Sequence, residues 1–375
     1  MLTALFVVSC FAFALALGCH AARLRMPVLE ELRPPDPDVW PTVSVVIAAR
    51  DEIDGIEAAI QSRLADDYPA LRIIIVDDRS TDGTSAAVDR LAEDPRVTAV
   101  HVEALPDGWL GKVHAMHRGI EAARGEWILL SDADVHLEPG ALRTIVAHAE
   151  AHGIDHVGVL PTVWPKGVVF DAVLAAFVRL MSVATLVTPI GVGAFNLVRR
   201  RAYDASPGMP ALRMEVGDDV ELARLLVRSG AKSVGLNGRR VVHLEFYRSL
   251  RSMAKHMEKV AGIQGGHPLG LVVASFVFAL VEIAPFVGAL FEPWRVPSLA
   301  IGAFILITSV VMNRAFAQPG PAALLSPLGA LIGAAFLARA GLLALWRGGI
   351  EWRGTFYPQS TLQRAATHQR RTRDA

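Results

Sequence analysis

Cysteine is scarce in this 375-residue chain, and so is net charge. Of the 2 cysteines, Cys10 falls inside the first apolar run and Cys19 at its end, so no disulfide framework and no thiol metal cage is available. They are read as apolar packing residues. The 37 Lys+Arg balance 37 Asp+Glu, which removes the phosphate attraction that nucleic-acid binders use. A hydrophobic fraction of 52% excludes a disordered chain. Several nucleotide and metal signatures are missing too. No G-x-G-x-x-G follows the first strand-like segment, and Gly111-Lys112 lacks the preceding glycine of a P-loop, which disfavours a Rossmann dehydrogenase or a P-loop NTPase. No H-E-x-x-H occurs. His114 and His117 lie three apart with no third ligand suggested nearby, and are read as surface histidines rather than a zinc site. Neither an internal repeat nor a low-complexity tract is visible.

What the chain does have is clustered apolarity. Residues 2–18 form one uninterrupted apolar run and residues 269–346 are mostly apolar. About 20 such residues in a helix span a bilayer. The first run has no preceding Lys or Arg and no small-x-small cleavage site, so residues 1–20 are expected to be a retained transmembrane anchor rather than a cleaved signal. Arg23 and Arg25 directly behind it place the following segment in the cytoplasm by the positive-inside rule. Residues 21–40, rich in proline among charges, are expected to be an extended linker. A soluble domain at 41–268, a C-terminal membrane region of two to three spans at 269–346 and a basic tail at 347–375 complete the expected organisation.

In the soluble stretch, short β-branched runs alternate with longer amphipathic ones. Strands are expected at 43–47, 71–76, 97–102 and 127–130, and helices at 56–64, 84–91 and 112–123. Nearly continuous apolar strands alternating with helices define an α/β fold with a mostly parallel sheet covered on both faces, where ligands sit at the carboxyl ends of the strands. Those ends read Ala49-Arg50-Asp51-Glu52, Asp77-Asp78-Arg79-Ser80-Thr81-Asp82 and Ser131-Asp132-Ala133-Asp134. Asp82 or Thr81 is suited to capping the helix that starts at Thr84, and Asp51 to a turn. One cap per helix suffices, however, and acidic groups at the ends of all of these strands point to a site. Asp132 and Asp134, separated by one residue on a strand-to-loop turn, can share a hard divalent cation that keeps room for substrate phosphates.

These blocks resemble the inverting family-2 glycosyltransferases of GT-A fold. The resemblance covers about residues 41–260. It rests on the segment from Pro41 into Arg50-Asp51-Glu52, on Val76-Asp77-Asp78-Arg79-Ser80-Thr81-Asp82-Gly83-Thr84, on Gly111-Lys112, on Ser131-Asp132-Ala133-Asp134, and on Gly217-Asp218-Asp219-Val220-Glu221-Leu222. The tail Trp352-Arg353-Gly354-Thr355-Phe356-Tyr357 is similar to the W-R-G-x-x-Y ending of the hopene-associated group. The resemblance implies a GT-A nucleotide-sugar-binding domain with a mixed, mostly parallel sheet. Ala49, Arg50, Glu52 and Asp78 would hold the nucleoside, Lys112 would line the donor site, and Asp132 would meet the ribose or diphosphate. Asp134 would ligate Mg2+ or Mn2+, and Asp219, with Asp218 beside it, would be the base. Asp218 stands where the family usually has Glu, and Arg50-Asp51 where Arg-Asn or Phe-Asn is common. The family's Gln/Arg-x-x-Arg-Trp block is replaced by Glu245-Phe246-Tyr247-Arg248-Ser249-Leu250, which favours a single transfer over a processive polymerase.

The implied activity is metal-dependent transfer of a sugar, from a UDP-sugar in the first instance, to a membrane lipid such as a hopanoid or polyprenoid. The implied site is the cytoplasmic face of the inner membrane in a multi-pass protein without nucleic-acid partners. A polysaccharide or polyprenyl-phosphate transferase, or an inactive membrane subunit, is the alternative. The segment 168–190 is apolar but interrupted by Asp171 and Arg179, and is expected to be a buried or interfacial helix rather than a span. Glu282 interrupts the first C-terminal apolar segment, which is the candidate for a re-entrant one.

Overall fold

The computed structural model describes residues 2–374, which divide into two compact units. One comprises Pro27–Val163 and Thr188–Phe246, with the terminal Ala365–Ala375; the other comprises Met1–Met26, Trp164–Val187 and Tyr247–Arg364.

The first of these is built on ten strands: β1 Val43–Ala49, β2 Leu71–Asp78, β3 Val97–Val102, β4 Trp127–Asp132, β5 Val135–Leu137, β6 His156–Leu160, β7 Thr162–Val163, β8 Asn196–Arg199, β9 Ser233–Asn237 and β10 Val242–Leu244. The main sheet has the order β3-β2-β1-β4-β8-β6-β9. β1 to β4 run parallel, β8 runs antiparallel between β4 and β6, and β9 returns parallel to β6. All seven β1 residues are buried, as a central strand covered on both faces requires. The helices Ile56–Leu64 and Gly111–Ala122 supply part of that cover. Gly119 marks how close the second comes, since a Cβ there would lie 2.3 Å from a Val46 methyl. The register Ala48↔Asp132 and Ala49↔Asp77 brings the three acidic strand ends level on one rim. A small sheet, β5-β10-β7, continues the chain beyond that rim.

The segment expected to be an extended linker at 21–40 is partly helical, since the first helix runs on to Arg25 and a short turn of helix forms at Leu29–Glu31, and its remainder after Met26 is not detached. Asn237 N–H donates to Pro27 O at 2.8 Å, Val28 bridges to Asn237, and Glu30 pairs with Arg239, so this strap covers the β9 edge. Leu29, 1% exposed, anchors it in the core. A leucine in a proline-rich segment is a weak signal in sequence.

Among the described residues, the second unit contains four helices long and apolar enough to cross a membrane: Leu2–Arg25, Pro268–Gly288, Arg295–Ala315 and Ser326–Arg347. The segment with Glu282 is one helix continuous through Pro285. It runs antiparallel to the last: a Cβ on Gly341 would meet Pro268 O at 2.8 Å, and Glu258 accepts from Arg339 and Arg347 at 2.8 and 2.9 Å. Residues preceding 268 and following 347 therefore share one end of the unit. Small residues on the last helix allow close approach, as glycine and alanine do in lipid. A Cβ on Gly329 would lie 2.2 Å from Ala172 O of the helix Val168–Ala184. That helix is buried within the unit and carries Arg179, which pairs with Glu282 and donates to Ser309 and Ser326. Of the two cysteines, Cys19 is buried and Cys10 exposed. A hairpin, β11 Gly349–Trp352 with β12 Thr355–Pro358, follows the last apolar helix.

Candidate active site

The rim is assembled by short local bonds before any ligand is considered. Thr81 N–H donates to Asp51 Oδ1 at 2.7 Å, Asp51 N–H to Ser80 Oγ at 3.1 Å, and Ile53 N–H to Asp82 Oδ2 at 3.1 Å. These bonds sew the loop after β1 to the loop after β2, and they account for Asp51 and Asp82 structurally. Asp82 also accepts from Thr84 N–H at 3.0 Å, at the start of its helix. Asp77 is mostly buried. Burial pushes its pKa up, but bonds from Ser80, Ser85 and His101 outweigh that and hold it below the ordinary carboxylate value.

Asp78 is fully buried and carries two guanidiniums. Arg79 donates to it at 2.8 and 3.2 Å, and Arg50 Nη1 lies 3.8 Å away. The value of glycine at 111 is visible here: a Cβ would sit 2.5 Å from Asp78 Oδ2 and 2.9 Å from Arg79 Nη2. With Gly111 against Asp78, the next residue reaches across the rim. Lys112 Nζ lies 2.7 Å from Asp132 Oδ1. Ala49, at the end of β1 and 0% exposed, offers only backbone.

Asp134 has its pKa pushed up to about 7, by burial first and then by the carboxylates of Asp132 and Glu52. Three carboxylates thus crowd one place, opposed by Arg63. That arginine is 1% exposed, donates to Ser131 Oγ at 2.9 Å and Asp132 O at 2.8 Å, and is itself lowered to about 10 by burial against the pull of Asp134 and Asp132. Oxygen donors in mutual repulsion fit a hard divalent cation. Among the described residues no three His, Cys, Asp or Glu side chains form a ready cage, so such an ion would rest on one or two carboxylates and take its other ligands from water and substrate.

The facing wall comes from Gly191-Val192-Gly193 and the helix Asp218–Arg228. Gly193 N–H donates to Asp219 Oδ2 at 2.7 Å, and Gly193 O accepts from Asp132 N–H at 2.9 Å. A Cβ on Gly193 would fall 2.7 Å from Asp132 Oδ2 and 3.1 Å from Lys112 Nζ, and one on Gly191 2.1 Å from Asp219 O. A small cleft lies between Lys112, Gly193, Asn196, Met209, Asp218 and Asp219. Asp218 is buried while Asp219 is half-buried.

Structure therefore brings Arg50, Asp78, Lys112 and Asp132 into one contact chain, with Asp134 and Glu52 beside it and Asp219 one peptide away. Sequence reasoning missed Arg63, Gly191 and Gly193. Arg63 follows Ile56, Ala59 and Ile60 on the buried face of its helix, and a charge on that stripe was the available signal. The glycines had G-x-G directly before a strand. His114 corrects an expectation. It is buried, edge-on to Trp109 at 5.5 Å, because Trp109 folds over the start of its helix and stacks on His117 at 5.1 Å.

Residues 44–206 match the Glycosyl transferase family 2 model, and the fold is the α/β GT-A fold. The chain is 38% identical over 122 residues to the succinoglycan biosynthesis protein ExoO of Rhizobium meliloti (strain 1021), covering 32% of this chain and 34% of that protein. It is 27% identical over 226 residues to the beta-monoglucosyldiacylglycerol synthase of Synechocystis, covering 55% and 46%. The chain spans less than half the length of these curated relatives. Among solved structures, a mannosyltransferase of Pyrobaculum calidifontis in complex with GDP-Man and Mn2+ aligns over 92% of this chain and 99% of its own, with a TM-score of 0.58 and 21% identity.

Proposed function

We propose that the protein transfers a sugar, with inversion, from a nucleoside-diphosphate sugar to a membrane lipid. The observation that carries this reading is the Gly193 peptide, whose N–H fixes the Asp219 carboxylate and whose carbonyl fixes the Asp132 backbone. An acceptor-side carboxylate and a donor-side carboxylate are thereby held on one link. Glu52, Arg50 and Asp78 are assigned to the nucleoside, with the Ala49 backbone, while Lys112 and Asp132 are assigned to the ribose and diphosphate. Asp134 is assigned to Mg2+ or Mn2+, which when bound would supply charge neutralisation to the leaving diphosphate. Asp219 takes the acceptor hydroxyl proton as the new glycosidic C–O bond forms and the bond to diphosphate breaks, and direct displacement inverts the anomeric carbon. Asp218, buried at the helix N-terminus, positions Asp219.

A lipid acceptor is supported by the four apolar helices and by the relative named for a glucosyldiacylglycerol. The W-R-G-x-x-Y tail favours a hopanoid or similar polycyclic alcohol. The cationic end of the membrane unit, with Arg339 and Arg347, is assigned to the cytoplasm. The test is turnover of a panel of nucleotide sugars by detergent-solubilised protein with and without Mn2+ or Mg2+, beside Asp134→Ala and Asp219→Ala. One donor turned over with metal and lost in both variants is the expected result. A donor that neither binds nor turns over in wild type would instead mark an inactive subunit. Equal turnover onto a soluble sugar would sink the lipid acceptor and favour polysaccharide synthesis, the role in the name of the succinoglycan relative.

A further inference from the structure

Three polar side chains that the sugar-transfer scheme does not use line up across one face of the main sheet. β8, β6 and β9 are neighbours in that order, and His156 on β6 pairs with Ser233 on β9 and with Val198 on β8. Alternate residues of a strand share a face, so Asn196, two before Val198, is the diagonal neighbour of His156. His156 Nδ1 lies 2.8 Å from Ser233 Oγ, and its Nε2 lies 3.1 Å from Asn196 Oδ1. His156 is 0% exposed and Asn196 2%, so neither can trade these partners for bulk water.

The far end of the row reaches the carboxylate assigned as the base. Asn196 Nδ2 donates to the Asp219 carbonyl at 3.4 Å, and Asn196 Oδ1 accepts from Val192 N–H at 3.4 Å. These two partners leave the amide one orientation, since a carbonyl only accepts and a peptide N–H only donates. That orientation passes back along the row. Oδ1 takes the proton of His156 Nε2, and Nδ1 is left to accept from the Ser233 hydroxyl. Both 3.4 Å bonds are long, and neither alone would fix a loop. Together they let one buried amide span Val192 and Asp219, while Gly193 N–H, next in the chain, holds Asp219 Oδ2 at 2.7 Å. Gly191 packs on the same carbonyl, where a Cβ would lie 2.1 Å from Asp219 O. The segment 191–196 thus grips both the main chain and the carboxylate of Asp219.

We propose that Asn196 is a positioning residue for sugar transfer: its amide sets Asp219 against the 191–193 loop, and His156 and Ser233 keep that amide in place. The proposal rests on the assignment of Asp219 as the base.

The experiment uses full-length protein in detergent and the nucleotide sugar that wild type turns over, with calorimetry counting the donor-binding sites in each preparation. Asn196→Leu nearly keeps the volume and removes both amide contacts. Turnover per donor-binding site should fall about ten-fold, with donor affinity within a factor of about two. A role in folding alone would lower the number of binding sites and leave turnover per site at the wild-type value, which overturns the proposal. In an Asp219→Asn background the same substitution should cost nothing further, since the carboxylate it aims is gone. A second loss of that size would put the action of Asn196 elsewhere, and this too overturns it. Should Asn196→Leu not fold, His156 supplies the test. His156→Leu cannot donate to Asn196 Oδ1 and should lose turnover per site to a similar extent, whereas His156→Gln, whose amide can donate, should recover most of it. Equal turnover per site in those two variants overturns the row as a positioning device. Asp219→Asn with wild-type turnover would defeat the base assignment itself, a failure distinguishable from all of these.

Discussion

At the scale of single residues, function turns on atoms that touch through one peptide. Replacing Asp219 by Asn keeps its size and its bond from Gly193 N–H but removes the carboxylate proposed as the base. Turnover should fall by about 10²- to 10⁴-fold, while donor affinity by calorimetry stays within a factor of two or so. A matching loss of donor binding would show that Asp219 belongs to the nucleotide instead. Gly193→Ala makes a sharper demand. Its methyl would press Asp132 and Lys112 apart, displacing both by a few tenths of an ångström or more. A fold that survives with turnover lowered about 10- to 100-fold is expected, and wild-type turnover would mean that this link does not set the site. Gly191→Ala meets backbone at 2.1 Å rather than a side chain, so yield and thermal stability should suffer before activity can be read.

At the scale of elements, β6 and β8 hold a buried histidine with a stability signature. His156 Nε2 donates to Asn196 Oδ1 at 3.1 Å, its Nδ1 accepts from Ser233 Oγ at 2.8 Å, and burial pushes its pKa down to about 4. A folded value below the unfolded one means that the unfolded chain takes up the proton first. Stability from this group is complete above about pH 6.5 and is lost as pH falls toward 4, by on the order of 3 kcal/mol. His156→Gln should therefore start less stable at pH 7.5 yet lose less on acidification to pH 5, measured by thermal melts in detergent. Parallel losses in the two proteins would place the acid sensitivity elsewhere. The strands and helices of this sheet were legible because each carries a clear period, and the acidic ends because strand ends in a parallel sheet must share a rim. β2 and β4 run on to Asp78 and Asp132, past the last apolar residue, because neighbouring strands pair backbone and are indifferent to side-chain polarity. The Asp132 and Asp219 walls were each visible in sequence. Their connection was not, since Gly193 carries no side chain to announce that its peptide serves both.

At the scale of the whole chain, the unit of long apolar helices is organised around a charge pair that periodicity alone cannot match up. Arg179 and Glu282 lie far apart in sequence, each reading as an isolated interruption of an apolar segment, and only packing joins them with Ser309 and Ser326. Glu282→Leu strands a buried guanidinium and should cost about 3–5 kcal/mol, whereas Arg179→Leu/Glu282→Leu together should recover most of the loss. Thermal unfolding of the two single variants and the double in detergent checks this. Additive losses would mean the two groups do not act as a pair. The same unit is drawn from three separated stretches of chain, the first ending at Met26 and the last at Arg364. During synthesis Arg179 leaves the ribosome 147 residues ahead of Ser326, an interval of about 7 to 30 seconds at ordinary elongation rates. For that time its guanidinium must wait outside the apolar layer or be chaperoned within it, and only the last helix completes its ring of partners. Ribosome-bound chains cut short before Ser326 should accordingly be the ones that quality-control proteases recognise.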